Sequence, residues 1–198
     1  MTYRQNSANR TAMKIILFIL FACLLLNSCS TINKVIEVDD QYKEIKSIKL
    51  RQQPSAYSVE KNGHLGGRSS YNLTANLISE IKSGIIPDTK IDFQFITGIR
   101  SDELDSVMYL VLDLEKIKLV SANYKYKQLM SREFIVPENL WVSIVHSKTI
   151  LYRLYIGHEG IDVELTDSEM NKVREFFSRV IQQRDTLFPS TPEGKMKW

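Results

Sequence analysis

The chain has 198 residues, 43% hydrophobic and 25% charged, a composition that suits one globular domain large enough to bury a core. Its net charge of +3 arises in the first 28 residues, which hold Arg4, Arg10 and Lys14 and no acid; without these three, the 26 bases fall to 23, against 23 acids. A neutral remainder lacks the basic surplus of a nucleic-acid binder.

Met1–Ala12 is polar, and Met13-Lys14 reads as a second start, a methionine followed at once by a positive charge. Ile15–Leu26 is an unbroken apolar run of twelve residues. Crossing ~30 Å of hydrocarbon takes ~20 residues, so the run is too short to span and fits a signal-peptide core. It ends in Leu26-Asn27-Ser28-Cys29, which resembles the lipobox of bacterial lipoproteins. Leu26 and Ser28 match that pattern, and Asn27 departs from the small or apolar residue commoner there. The resemblance implies that residues 1–28 are a signal peptide cut before Cys29, with lipid on the Cys29 thiol and an acylated new amino terminus. Several acyl chains, at ~0.8 kcal/mol per buried methylene, anchor a protein firmly to a membrane. Leu20-Phe21-Ala22-Cys23 is a competing box, but it would keep only Ile15–Ile19 as apolar core and strand Leu24–Leu26 in water. An uncleaved anchor or a plain secretory signal is the other alternative. Ser30, not an acid, follows Cys29, which by resemblance to sorting rules points toward an outer rather than an inner membrane. Cys23 and Cys29 are the chain's two cysteines, so the remainder has no disulfide framework and no thiolate metal site.

Residues 29–43 read as a lipidated polar tether and 44–188 as a single domain. Ile45–Gln53 is predicted as a strand ended by Pro54, and Ala56–Glu60 as a short second one. Asn62-Gly63 and Gly66-Gly67 signal turns. Ser70–Ile81 reads as extended, although Leu77, Ile78 and Ile81 also suit a helix face. Pro87-Asp88 suggests a turn, and Ile91, Phe93, Phe95, Thr97 and Ile99 alternate as a strand. After an acidic turn at Ser101–Asp105, the near-continuous apolar run Ser106–Leu114 predicts a central strand buried on both faces. Glu115-Lys116 reverses the chain into a strand over Ile117–Tyr126, and Glu133–Val136 is a further short strand. Pro137-Glu138 opens a short helix near 137–146, since proline is favoured at the first helical position. Thr149–Ile156 and Ile161–Leu165 form a hairpin about Gly157–Gly160. Thr166, Asp167, Ser168 and Glu169 make a capping box opening a helix over Asp167–Arg184, whose Arg179 and Arg184 lie near the negative end of its dipole. Pro189–Trp198 is a flexible tail.

Strands in succession with short connections imply antiparallel pairing, and the terminal helix covers part of one sheet face. The expected fold is α+β, mainly an antiparallel sheet of about six to eight strands with the two helices. The hairpin-then-helix ending, roughly the last third of the chain, resembles small bacterial lipoproteins and brings no activity with it.

No catalytic constellation emerges. His64, His146 and His158 are isolated from one another, without the one-turn spacing of zinc hydrolases. No serine sits in a nucleophile elbow. Gly63–Gly67 lacks the Lys-Ser/Thr of a phosphate loop. Asp102, Glu103 and Asp105 cluster in a turn too short for a calcium loop and read as solvated. Tyr109, Tyr124, Tyr126, Tyr152 and Tyr155 lie on predicted strands, where tyrosines either fill half-buried core positions or offer an exposed face to a glycan or protein. The expectation is therefore a membrane-anchored, non-catalytic envelope lipoprotein, a binding or assembly module. It would be held by lipid on Cys29, would take an envelope protein or a glycan as partner, and would use no nucleic acid, cofactor or metal. The alternative is a lipid-anchored hydrolase whose site assembles from dispersed Asp, Glu and His residues.

Overall fold

Period-two alternation dominates the chain, and the strands follow it. The computed structural model describes residues 31–59, 68–82, 85–95, 104–127 and 129–188, with the backbone alone described within 122–130. The amino-terminal segment with Cys23 and Cys29, the glycine turns at 63–67, Thr97 and Ile99, and the tail lie outside the described residues. The unit that begins at Asn33 contains strands β1 (Val35–Asp40), β2 (Ile45–Gln52), β3 (Ser55–Ser58), β4 (Ser70–Tyr71), β5 (Leu73–Lys82), β6 (Ile85–Phe95), β7 (Val107–Leu112), β8 (Glu115–Lys127), β9 (Leu129–Ile135), β10 (Ile150–Ile156) and β11 (Glu159–Glu164). A 3-10 turn at Glu138–Leu140 leads into helix α1 (Trp141–His146), and helix α2 (Asp167–Leu187) follows β11. Among these described residues no helix is long and apolar enough to cross a membrane.

The structure is mainly antiparallel sheet with a short and a C-terminal helix, as expected. The sheet, however, has eleven strands rather than six to eight, in the order β1-β2-β5-β6-β9-β8-β7-β10-β11-β3-β4. Gln53-Pro54 interrupts one strand path into β2 and β3, because proline offers no amide to a ladder. Asn72 divides the neighbouring path into β4 and β5. Val35–Asp40, in the stretch read as a tether, pairs along β2 as β1. Pro87 lies inside β6 rather than in a turn. It sits opposite a register shift between Glu80 and Lys82 of β5, and beyond the end of β9, which pairs only from Lys90 onward. No ladder bond is lost there.

The interrupted paths let the sheet close on itself. On one flank β2 pairs with β1, while its continuation β3 pairs with β11. At the opposite corner Glu115–Val120 of β8 pair with β7, and the rest of β8 pairs with β9 after a register shift between Ser121 and Asn123. Such a bulge bends and twists a strand. The result is a ring of β2/β3, β4/β5, β6, β9, β8, β7, β10 and β11, with β1 added beside β2. Leu50, Leu77, Ile91 and Phe134 form one inward row. Ala56, Val163, Tyr152 and Leu110 form another. Phe93 and Tyr152 meet edge-to-face across the interior, ring centroids 5.3 Å apart, so both halves share one core. Outward positions carry Lys49, Arg51, Glu80 and Glu133, interspersed with exposed apolar residues such as Val120 and Ile135.

Helix α2 continues where β11 stops. Its capping box is closed in both directions: Thr166 Oγ1 accepts from the Glu169 amide at 3.3 Å, and the Thr166 amide donates to Glu169 Oε2 at 2.8 Å. Val173, Phe176, Phe177 and Val180 are fully buried on the face that packs toward α1, β2 and the adjoining strands. Arg174 donates to the carbonyls of Ser147 and Lys148 just past the end of α1, at 3.0 and 2.7 Å. The helix runs to Leu187, beyond the expected end at Arg184, whose guanidinium reaches Glu138 at 2.8 Å.

Candidate functional site

The β10–β11 hairpin sets the geometry of the outer face. Gly157 supplies the positive φ of 59° that its turn needs, and Ile156 then pairs with Glu159. Three steps back along the ladder, Arg153 stands opposite Asp162. Their side chains form a bidentate pair, Nε to Oδ1 at 2.6 Å and Nη2 to Oδ2 at 2.8 Å. The Asp162 carboxylate, helped by the nearby Tyr155 hydroxyl, raises the Arg153 guanidinium above its ordinary value against the opposing effect of burial.

Neighbouring strands extend this pair into a row. β3 places Tyr57 beside Asp162, β7 places Tyr109 beside Arg153, and β8 places Lys118 beside Tyr109. Tyr109 and Tyr155 pack edge-to-face at 6.1 Å. With Val111, Lys116 and Arg153 they line a hollow of about 270 Å³. At the other end Tyr57 lines a second concavity of about 380 Å³, formed where Gln53-Pro54 and Asn72 interrupt the two paths. Asp162 and Glu164 lie on β11 and Lys116 and Lys118 on β8, so charge runs from acid to base across the face. Glu164 has Arg68 at 3.9 Å, whereas Lys116 and Lys118 have no ion-pair partner among the described residues.

The five tyrosines singled out from the sequence separate here. Tyr109 and Tyr155 come together outside, half-buried. Tyr152 points inward and is fully buried, and burial, aided by the Glu169 charge, pushes its phenol up. The side chains of Tyr124 and Tyr126 lie outside the described residues, as do Cys29, His64, Asp102 and Glu103. His146 ends α1 and His158 occupies the hairpin turn, both exposed and far apart in the fold. Glu159 accepts from the Tyr71 hydroxyl at 2.6 Å. Among the described residues no group of three or more His, Cys, Asp or Glu side chains is placed to hold a metal ion. Sequence reasoning missed Tyr57, Arg153 and Asp162. The signal for the last two was present, because a tight turn at Gly157-His158 fixes which residues oppose one another.

The chain matches no protein-family model, no curated protein and no solved structure.

Proposed function

We propose that this protein is an envelope lipoprotein, anchored through lipid on Cys29, that acts as a non-catalytic binding module through the outer face around Tyr109, Arg153 and Tyr155. The observation that carries the binding reading is the half-buried, outward-facing edge-to-face tyrosine pair beside a half-buried, bidentate Arg–Asp pair. Aromatic and arginine side chains are enriched in binding surfaces. The anchor rests on the short apolar run and the Leu26–Cys29 motif, and an outer membrane is the favoured location.

Two measurements test the two halves separately. Labelled palmitate should enter the wild type and not Cys29→Ala; label that persists in that variant and is lost in Cys23→Ala moves the anchor to the other cysteine. Native envelope fragments should retain the lipidated wild type more strongly than a Tyr109→Ala/Tyr155→Ala variant of unchanged circular dichroism. Equal retention would assign binding to another face.

A further inference from the structure

We propose that the outer row from Tyr57 to Lys118 binds an acidic oligosaccharide laid across the strands. The inference rests on the binding-module reading and names the ligand class for that face.

Length comes first. The row crosses five strands, β3, β11, β10, β7 and β8, which at ~4.8 Å per strand spans roughly 19 Å. A concavity lies toward each end, and Arg153 of the Arg153–Asp162 pair lines the one at Tyr109 and Tyr155. The hollow at Tyr109 and Tyr155, about 270 Å³, falls at the lower limit of small-molecule sites, roughly 300 Å³. A face of this shape fits a chain of small rings better than one compact ligand.

Chemistry selects the class. Tyrosine rings present apolar faces on which the C–H side of a sugar ring packs, and their hydroxyls hydrogen-bond at the rim. The Arg153–Asp162 pair offers donors and acceptors side by side. A sugar hydroxyl both donates and accepts, so it satisfies the two partners without breaking their ion pair. β10 and β7 are also paired along both edges over this stretch, so the face gives a peptide strand no backbone to pair with.

Charge selects the acidic members of the class. Lys116 and Lys118 are exposed, lie beside the tyrosine hollow and have no ion-pair partner among the described residues. They complement a carboxylate or phosphate on a ring seated there, through an attraction that weakens with salt.

The test uses full-length lipidated protein in detergent micelles, titrated with tetragalacturonate, with neutral maltotetraose and with a tetraglutamate peptide. Tetragalacturonate should bind more tightly than either, and the binding should weaken with added salt. Lys116→Glu should weaken it about tenfold with circular dichroism unchanged, since that side chain is exposed and unpaired. Tyr155→Phe should keep most of the affinity, and Tyr155→Ala should lose it. Tetraglutamate binding as tightly as the uronate overturns the saccharide class, and maltotetraose binding as tightly overturns the acidic requirement. If none of the three binds while envelope retention still depends on Tyr109 and Tyr155, the ligand class fails and the binding face stands. If that retention is also insensitive to both tyrosines, the two proposals fall together.

Discussion

The hydroxyl of Tyr152 is fully buried and meets no hydrogen-bond partner among the described residues. Burying a hydroxyl without a partner costs about 1–3 kcal/mol, so Tyr152→Phe should raise the urea midpoint by the equivalent of about 1 kcal/mol. The same substitution should alter the response to alkali. The folded state holds the phenol neutral above its ordinary value near 10. Its contribution to folding is complete below about pH 10 and is lost above it, where only the unfolded chain ionises. Stability measured from pH 8 into the alkaline range should therefore fall more steeply for wild type than for Tyr152→Phe. Asp113 shows the opposite sign. It adopts φ 55°, and its Oδ1 accepts from the Thr149 and Lys148 amides, each at 2.9 Å. The Thr149 amide foremost holds its carboxyl below the usual range. That contribution is present above the unfolded value and is lost as pH falls through the folded one. Asp113→Asn should lower the melting temperature near neutrality and flatten the acid limb. Neither environment was legible in the sequence, because each depends on what distant strands place beside the side chain.

At the scale of elements, legibility followed the range of the forces. The capping box is a contact between residues three apart, and Thr166 and Glu169 form it as the sequence indicates. Thr166→Ala should cost about 1 kcal/mol, read from the thermal midpoint. Near the helix end Arg184 meets Glu138, 46 residues earlier in the chain, and no local pattern announces that contact. Pro87 misled for a related reason. A proline breaks a strand only where its amide would have been used, and the bulge in which Pro87 itself sits and the short β9 remove that need. The β10–β11 turn was legible and its consequence was not drawn: once Gly157 sets the reversal, Arg153 and Asp162 must face each other. Gly157→Ala should destabilise the hairpin by about 1 kcal/mol, because a β-carbon is disfavoured at that φ.

For the molecule as a whole, the sequence indicated strands and their alternation but not their closure. In the strand order β9 and β8 separate β6 from β7, and β8 and β7 separate β9 from β10. Pairings so distant along the chain leave no periodic trace. Closure has a thermodynamic signature, since Phe93 on one half packs on Tyr152 of the other. Phe93→Ala should cost about 3–5 kcal/mol, and near- and far-ultraviolet circular dichroism should still report one coincident transition. Two separate transitions would show that the halves fold independently.

The early start of β1 has a bearing on reach. Even before it, Asn33 donates its amide to the Arg51 carbonyl at 2.7 Å, four residues after Cys29. A fully extended leash of that length spans at most roughly 14 Å. If Cys29 carries lipid as proposed, so short a leash would keep the folded unit close to the lipid headgroups, and any polymer it grips would be drawn into the same thin layer.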